Sequence, residues 1–374
     1  MNASRFNVAI IGCGLIGAQW DAKDTSPAFS LTHAAGFSKH PRAQLVAMCD
    51  HDADKARQAA QRWGAQASYS NTSTLFARHQ VDIAVVATAS TARWEVVAPA
   101  LAAGVKVLVI EKPLATTLDE CRKLASAIGA AGVKSIINFS RHWDPCMNDL
   151  RQRIRKGGMG SLQRLVGTYG KGITNNGSHM IDLCALLCDA RPVRARSLGS
   201  PLDFTEADWK QGKDRAWDAQ IEFEREDGSC IQLTMLATDQ SAFTCFELRV
   251  IGRKAICDIS KGGRSIVYTE IKDDPNFAGY RIPAEAVPQP SSALQAMDLM
   301  VDEALRLAAG ETQASSCDTH NALLTALTVE AINLEHHDPT SYQRRTAPAR
   351  TALSSAPYYG RSRKTGSHRR YGQW

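Results

Sequence analysis

At 374 residues the chain exceeds one ordinary domain and suits two, because single hydrophobic cores stop growing near roughly 250 residues. A composition of 44% apolar and 22% charged residues, with a mean hydropathy of −0.25, excludes wholesale disorder, collagen and fibrous arrays. The formal net charge of +6 belongs to one end: residues 339–374 hold eight Lys/Arg and no acid, the rest sums to −2, and a near-neutral body speaks against nucleic acid as a partner.

The first residues carry one arginine and run directly into an apolar strand, with no separate h-region, so no secretion signal is expected. Residues 1–140 alternate β-branched runs at 7–11, 44–49, 83–87, 105–110 and 135–138 with helical patterns after the first run and at 53–63, 94–103 and 118–131. Such alternation predicts a parallel sheet with helices on both faces. Its most apolar stretches are broken by Asp82, Lys106 and Glu111 far short of the ~20 residues of a membrane span. A helix is predicted at 147–156, ended by Gly157-Gly158. Strand patterns follow at 165–169, 194–198, 219–225, 230–237, 245–251, 255–259 and 265–271, with Asp227-Gly228 as a hairpin turn, and then helices at 293–309 and 319–334. Residues 141–338 are thus expected to form a second, α+β domain on a mainly antiparallel sheet, and 339–374 a loosely packed basic tail. The ten cysteines include no C-x-x-C pair, so reduced thiols in the cytoplasm are expected, with no disulfide framework and no metal site.

Gly12-Cys13-Gly14-Leu15-Ile16-Gly17 follows the first strand directly, the context in which G-x-G-x-x-G receives a dinucleotide pyrophosphate. The first glycine makes the turn, the second admits the phosphates and the third lets helix and strand pack closely. Asp50 ends the second strand, where an acid accepts bonds from ribose hydroxyls and repels a 2′-phosphate. It comes late because 21–31 reads as an insertion, and it favours NAD over NADP. Glu111-Lys112-Pro113 ends the strand at 105–110, at the carboxyl edge where open sheets bind ligands; a lysine there suits proton transfer, or is a chance surface residue. His179 and Asp182 stand three apart at the start of a helix, where Ser178 can cap and Asp182 can orient the imidazole.

Together, Gly12-x-Gly14-x-x-Gly17, Glu111-Lys112-Pro113 and Gly177-Ser178-His179-x-x-Asp182 resemble the motifs of the Gfo/Idh/MocA oxidoreductases, the glucose–fructose oxidoreductase and inositol dehydrogenase family, over roughly residues 7–334. The resemblance implies an α/β fold: an N-terminal Rossmann doubly wound parallel sheet and a C-terminal α+β domain with a large open, mainly antiparallel mixed sheet. It also implies a cleft site with Lys112 and His179 as catalytic pair, a cis bond before Pro113, cofactor contacts that include Thr88 and Glu111, and homodimers or homotetramers formed through the open sheet face. In the inositol dehydrogenase pattern an acid stands four residues before the histidine; Asn175 replaces it here, which shifts the role of proton acceptor to Lys112. The family's T-P-x-x-x-H stretch is also altered, with Ala89 after Thr88 and Arg93-Trp94 near the histidine place. Substrate contacts are expected from Arg141, His142, Tyr169, Lys171, Asn175 and Asn176, and the two cations Arg141 and Lys171 would suit a phosphate or carboxylate. The expected reaction is hydride transfer between NAD and a sugar-like polyol. Its rivals are a redox-neutral, NAD-dependent glycosidase or lyase and a non-catalytic NAD-binding regulator.

Overall fold

The computed structural model describes residues 5–21, 28–202, 214–239 and 243–335; the basic segment 339–374 lies outside them. In chain order the N-terminal half forms β1 (Phe6–Ile11), α1 (His33–Lys39), β2 (Ala43–Cys49), α2 (Ala53–Trp63), β3 (Ala67–Tyr69), α3 (Thr72–Arg78), β4 (Ile83–Val86), α4 (Arg93–Ala102), β5 (Val107–Ile110), α5 (Leu118–Ala130) and β6 (Lys134–Ile137). Six strands run parallel in the order β3-β2-β1-β4-β5-β6, so the strand order reverses beside β1. A ligand crevice opens at such a reversal. The strands β4 and β5 are buried at every position, as an apolar run covered on both faces must be.

Helix starts follow local signals: Asp52 caps α2, Asn71 caps α3, and Thr117 with Glu120 forms a capping box on α5. The helix expected straight after the glycine motif is shorter than its sequence suggests. It is one π-turn, Leu15–Gln19, and α1 starts only at His33, beyond the inserted segment. Asp21 ties the two sides of that segment, accepting from the backbone N–H groups of Leu31 and Thr32 and from the Thr32 hydroxyl.

The second half begins with α6 (Pro145–Arg155), β7 (Leu162–Tyr169), α7 (Ser178–Cys188), β8 (Ala190–Ser197), β9 (Ala219–Arg225) and β10 (Cys230–Ala237). It continues through β11 (Phe246–Gly252), β12 (Ala255–Ser260), β13 (Ser265–Asp273), β14 (Arg281–Pro283), β15 (Val287–Gln289), α8 (Ala296–Ala308) and α9 (Thr319–Glu335). The nine strands form one sheet in the order β14-β13-β12-β11-β7-β10-β9-β8, with β15 on β13; the β7–β10 pair is parallel and the others antiparallel. The α/β class with a parallel sheet and a mixed, mainly antiparallel one is therefore as expected. Helix α7 is buried along almost its whole length against one face of this sheet, while the other face alternates outward.

Two apolar cores result. The second gathers α6, α7, the inner residues of the large sheet, including Phe223 and Leu233, and Trp217 just before β9. The first surrounds the parallel sheet and draws in Met300, Val301, Ala304 and Leu305 of α8 from the far end of the chain. Gly36 of α1 makes room for that helix: a Cβ there would lie 2.9 Å from Val301 Cγ2. No helix among the described residues is long and apolar enough to cross a membrane. Leu305→Ala should cost about 2–5 kcal/mol through lost burial and the cavity left behind, read as a lowered urea midpoint of the N-terminal core.

Candidate active site

The glycine turn is fixed from three sides. Gly12 has φ +99°, and its N–H donates to the Cys49 carbonyl at 2.8 Å. A Cβ on Gly12 would meet the Ala87 carbonyl carbon at 2.5 Å, and one on Gly17 would meet the Gly12 oxygen at 2.0 Å. Gly14 is different, because a Cβ there would touch nothing within 4 Å. Its missing side chain therefore opens space instead of relieving a clash, which is what a phosphate close to backbone requires. Asp50 stands beside the turn, one carboxylate oxygen accepting from the Cys13 N–H at 2.8 Å and the other from the Asp52 N–H at 3.0 Å. Leu15 is exposed, Ile16 packs partly on the first core, and Thr88 at the end of β4 has a buried hydroxyl with no partner among the described residues. An open cradle and an orphaned hydroxyl along one sheet edge are features that a dinucleotide would fill and satisfy.

At the neighbouring strand end, Glu111 is buried and accepts from His33 Nε2 at 2.8 Å and from the Asn138 amide at 2.6 Å. Burial works to raise its carboxyl, but the bond and charge of His33, with Asn138 and Arg93, outweigh burial and hold it below the usual range. The Glu111 carboxylate thus braces α1 and β6 and faces inward. The Lys112–Pro113 peptide is cis. Lys112 points the other way and donates from Nζ to Asn175 Oδ1 at 2.7 Å, with the Asn175 carbonyl at 3.4 Å. Burial, with the nearby cations Arg141 and Lys171, pulls the lysine down to about 8 against the opposing charges of Glu111 and Asp214.

Asn175 belongs to a second π-turn, Ile173–Gly177, which leads into α7. Asp214 anchors it, its two oxygens accepting from the Thr174 N–H at 2.8 Å and the Asn175 N–H at 2.7 Å. Gly172, at φ +79°, admits that carboxylate, since a Cβ would stand 2.4 Å from Asp214 Cγ. His179 follows on the first turn of α7 with its ring edge-on to Phe139, centroids 5.4 Å apart. Burial and the charges of Lys112 and Arg141 hold the imidazole well below its usual pKa, so it is neutral at pH 7. Lys112, Asn175 and His179 therefore converge, with Asn176 in the same turn and Arg141 and Lys171 within electrostatic reach of the amine.

Other expected residues turn elsewhere. Asp182 does not orient His179; it bonds His142 Nε2 at 3.0 and 3.1 Å, and both are buried. Nearly every face of α7 is covered, so spacing of three along that helix divides His179 and Asp182 between cleft and core. His142, expected near substrate, is committed to this pair. Tyr169 is likewise core: its hydroxyl donates to the Trp217 carbonyl at 2.7 Å and accepts from the Trp217 N–H at 3.0 Å. With Cys317, His142 and Asp182 offer three ligand atoms within 4.8 Å of one another, but the carboxylate already serves His142 and lies in the field of Arg141. His33, Asn138 and Asp214 carry no sequence motif; only the fold brings them to the site. None of the ten cysteines forms a disulfide. Tyr169→Phe should remove the hydroxyl's two bonds to the buried Trp217 backbone and lower stability by about 1–3 kcal/mol in chemical denaturation.

Residues 6–139 match the profile of an oxidoreductase family with an NAD-binding Rossmann fold, Gfo/Idh/MocA. The D-apiose dehydrogenase of Paraburkholderia graminis is 29% identical over 157 residues, 42% of this chain and 38% of that protein. The inositol 2-dehydrogenase of Gluconacetobacter diazotrophicus is 30% identical over 199 residues, 50% of this chain and 57% of that protein. The alignable region thus spans between about two fifths and three fifths of these curated relatives. An NAD-binding oxidoreductase structure from Klebsiella pneumoniae shares the fold at a TM-score of 0.67, with 20% identity, covering 90% of this chain and 97% of that one. Over residues 6–139 the chain is therefore similar to the NAD-binding Rossmann domain of the Gfo/Idh/MocA oxidoreductases.

Proposed function

We propose that this chain is an NAD-dependent dehydrogenase that moves a hydride between nicotinamide and a secondary hydroxyl or ketone of a sugar, sugar nucleotide or inositol-like polyol. Residues 1–140 form the cofactor domain and 141–338 the substrate domain. The turn at 12–17 takes the pyrophosphate, Asp50 the adenosine ribose, and Thr88, Glu111 and Pro113 the nicotinamide end. The observation that carries the reading is the 2.7 Å bond from Lys112 to Asn175, because it unites the carboxyl edge of the parallel sheet with the turn that opens α7. The names of two relatives, for apiose and for inositol, support a polyhydroxy substrate.

The bound nicotinamide supplies a two-electron carrier. Lys112 takes the hydroxyl proton during oxidation and returns it during reduction. An amine near pH 8 is divided between base and acid at working pH, whereas an ordinary lysine would be almost wholly protonated. Asn175 accepts one of the amine's N–H bonds and so aims it without adding the charge that a carboxylate would bring. His179, being neutral, donates to the same substrate oxygen. Holding both reactants in this geometry contributes up to ~7–11 kcal/mol. The free thiols suit a reducing, cytoplasmic setting, and the outward sheet face, where Val166 and Leu236 lie among ion pairs such as Arg249–Asp258, suits a homodimer or homotetramer.

Lys112→Ala should retain NAD binding and lose roughly 10²–10⁴-fold in turnover, measured as nicotinamide absorbance change against a panel of sugars, inositols and sugar nucleotides. Survival of turnover within tenfold would exclude Lys112 as the proton acceptor. Oxidation requires the neutral amine, so kcat/KM should rise with pH and level off above about 8, while reduction, which requires the ammonium, should fall through the same region. Asp50→Asn keeps a bond acceptor for Cys13 but removes the anion, and should raise the NADP-to-NAD ratio of kcat/KM by about tenfold or more.

A further inference from the structure

Resting on the dehydrogenase reading, we propose that the substrate is an acid: it carries a carboxylate or phosphate that seats on Arg141 and Lys171 beside the reacting carbon. The chain brings both cations to the reacting centre by separate routes. Strands β5 and β6 are neighbours with Ile110 opposite Ile137, so Lys112 and the segment 139–141 leave the same sheet edge side by side. Phe139 of that segment meets His179, and Arg141 lies two residues on. Lys171 comes from the other side, four residues before the Asn175 that Lys112 bonds. It holds φ +66° at a corner fixed by Gly172 and Asp214, a conformation that costs a non-glycine residue roughly 1 kcal/mol or more.

Arg141 has the features of an anion seat. Its guanidinium carbon lies over the Phe246 ring, 3.9 Å from the centroid, and one amino group donates to the Gly262 carbonyl at 3.2 Å. Nε is buried and has no partner among the described residues. A side chain at Gly263 would begin 3.9 Å from Nε, so glycine keeps that flank clear. Among the described residues, Glu111 accepts from His33 and Asn138, Asp182 bonds His142, Asp214 accepts from the N–H groups of Thr174 and Asn175, and Asp144 accepts from the Cys146 N–H and the Ser292 hydroxyl. Three cations, Lys112, Arg141 and Lys171, thus share the cleft with a neutral His179: burial, with the charges of Arg141 and Lys171, pulls Lys112 down, and burial pulls Arg141 down against the charges of Asp182 and Asp144. A neutral polyol leaves that repulsion in place. A carboxylate or phosphate offsets it and matches the planar fork of an arginine.

The test uses the full chain with NAD and matched trios of sugars built on glucose, galactose and mannose: the neutral hexose, its uronic acid and its phosphate ester. Initial rates and calorimetric binding are measured for each. One acid should exceed its neutral parent in kcat/KM and in affinity by about tenfold or more, and which one does so distinguishes carboxylate from phosphate. Arg141→Gln should bring that ratio to within about threefold, Arg141→Lys should keep part of it, and Lys171→Gln, at a half-buried position, should reduce it without disturbing the packing on Phe246. Equal or better use of the neutral sugars by the unaltered protein, an unchanged ratio in both glutamine variants, or failure of every sugar in both measurements overturns the seat. Lys112-dependent turnover of neutral sugars without acid preference sinks this inference and leaves the dehydrogenase intact; tight binding of an acid without any hydride transfer does the reverse.

Discussion

A single bond between an amine and an amide, from Lys112 to Asn175, joins two regions of chain with no local reason to meet. One end rests on the parallel sheet, whose β5 is buried at every position. The other rests on a five-residue turn whose Thr174 and Asn175 N–H groups donate to the Asp214 carboxylate. The position of the amine is thus set by core packing on one side and by a buried acid on the other. Both supports are stiff, because an apolar strand and a doubly bonded carboxylate each lose much free energy on displacement.

The surroundings divide labour by charge. Beneath the lysine, Glu111 is held ionised by a histidine and an asparagine, and it locks α1 to β6 while lending the amine a modest opposing field. Above, Asn175 contributes a dipole and no charge. Replacing an acid by an amide at this point removes the interaction that would have kept the lysine fully protonated, and burial then prevails. The adjacent imidazole stays neutral for the same reason: two cations nearby and little water make a third positive charge too costly.

Much of this was legible in the residues themselves. The hairpin of β9 and β10 falls at 219–225 and 230–237 as its alternation and Asp-Gly turn predict, and α2 spans 53–63 between an aspartate cap and a left-handed Gly64. Short polar elements such as β3 and α3 gave no period to read, and the insertion before His33 concealed how little helix follows the glycine turn. At the site, motif order brought Lys112 and the α7 turn together. Spacing alone could not say that Asp182 would find His142, nor that Asp214, which precedes β9, would reach the turn before α7. Those partnerships are long-range, and local patterns carry no information about them.

Helix α8 adds a constraint on how the molecule can move. It departs from the large sheet, returns to fill the wall of the first core, and is followed by α9, which packs on both β8 and α5. The two halves are therefore laced together by several passages of the polymer instead of one linker. A fragment cut near residue 140 would leave a long apolar trough where Met300 to Leu305 had been. Any movement of one half against the other has to bend several strands of chain at once.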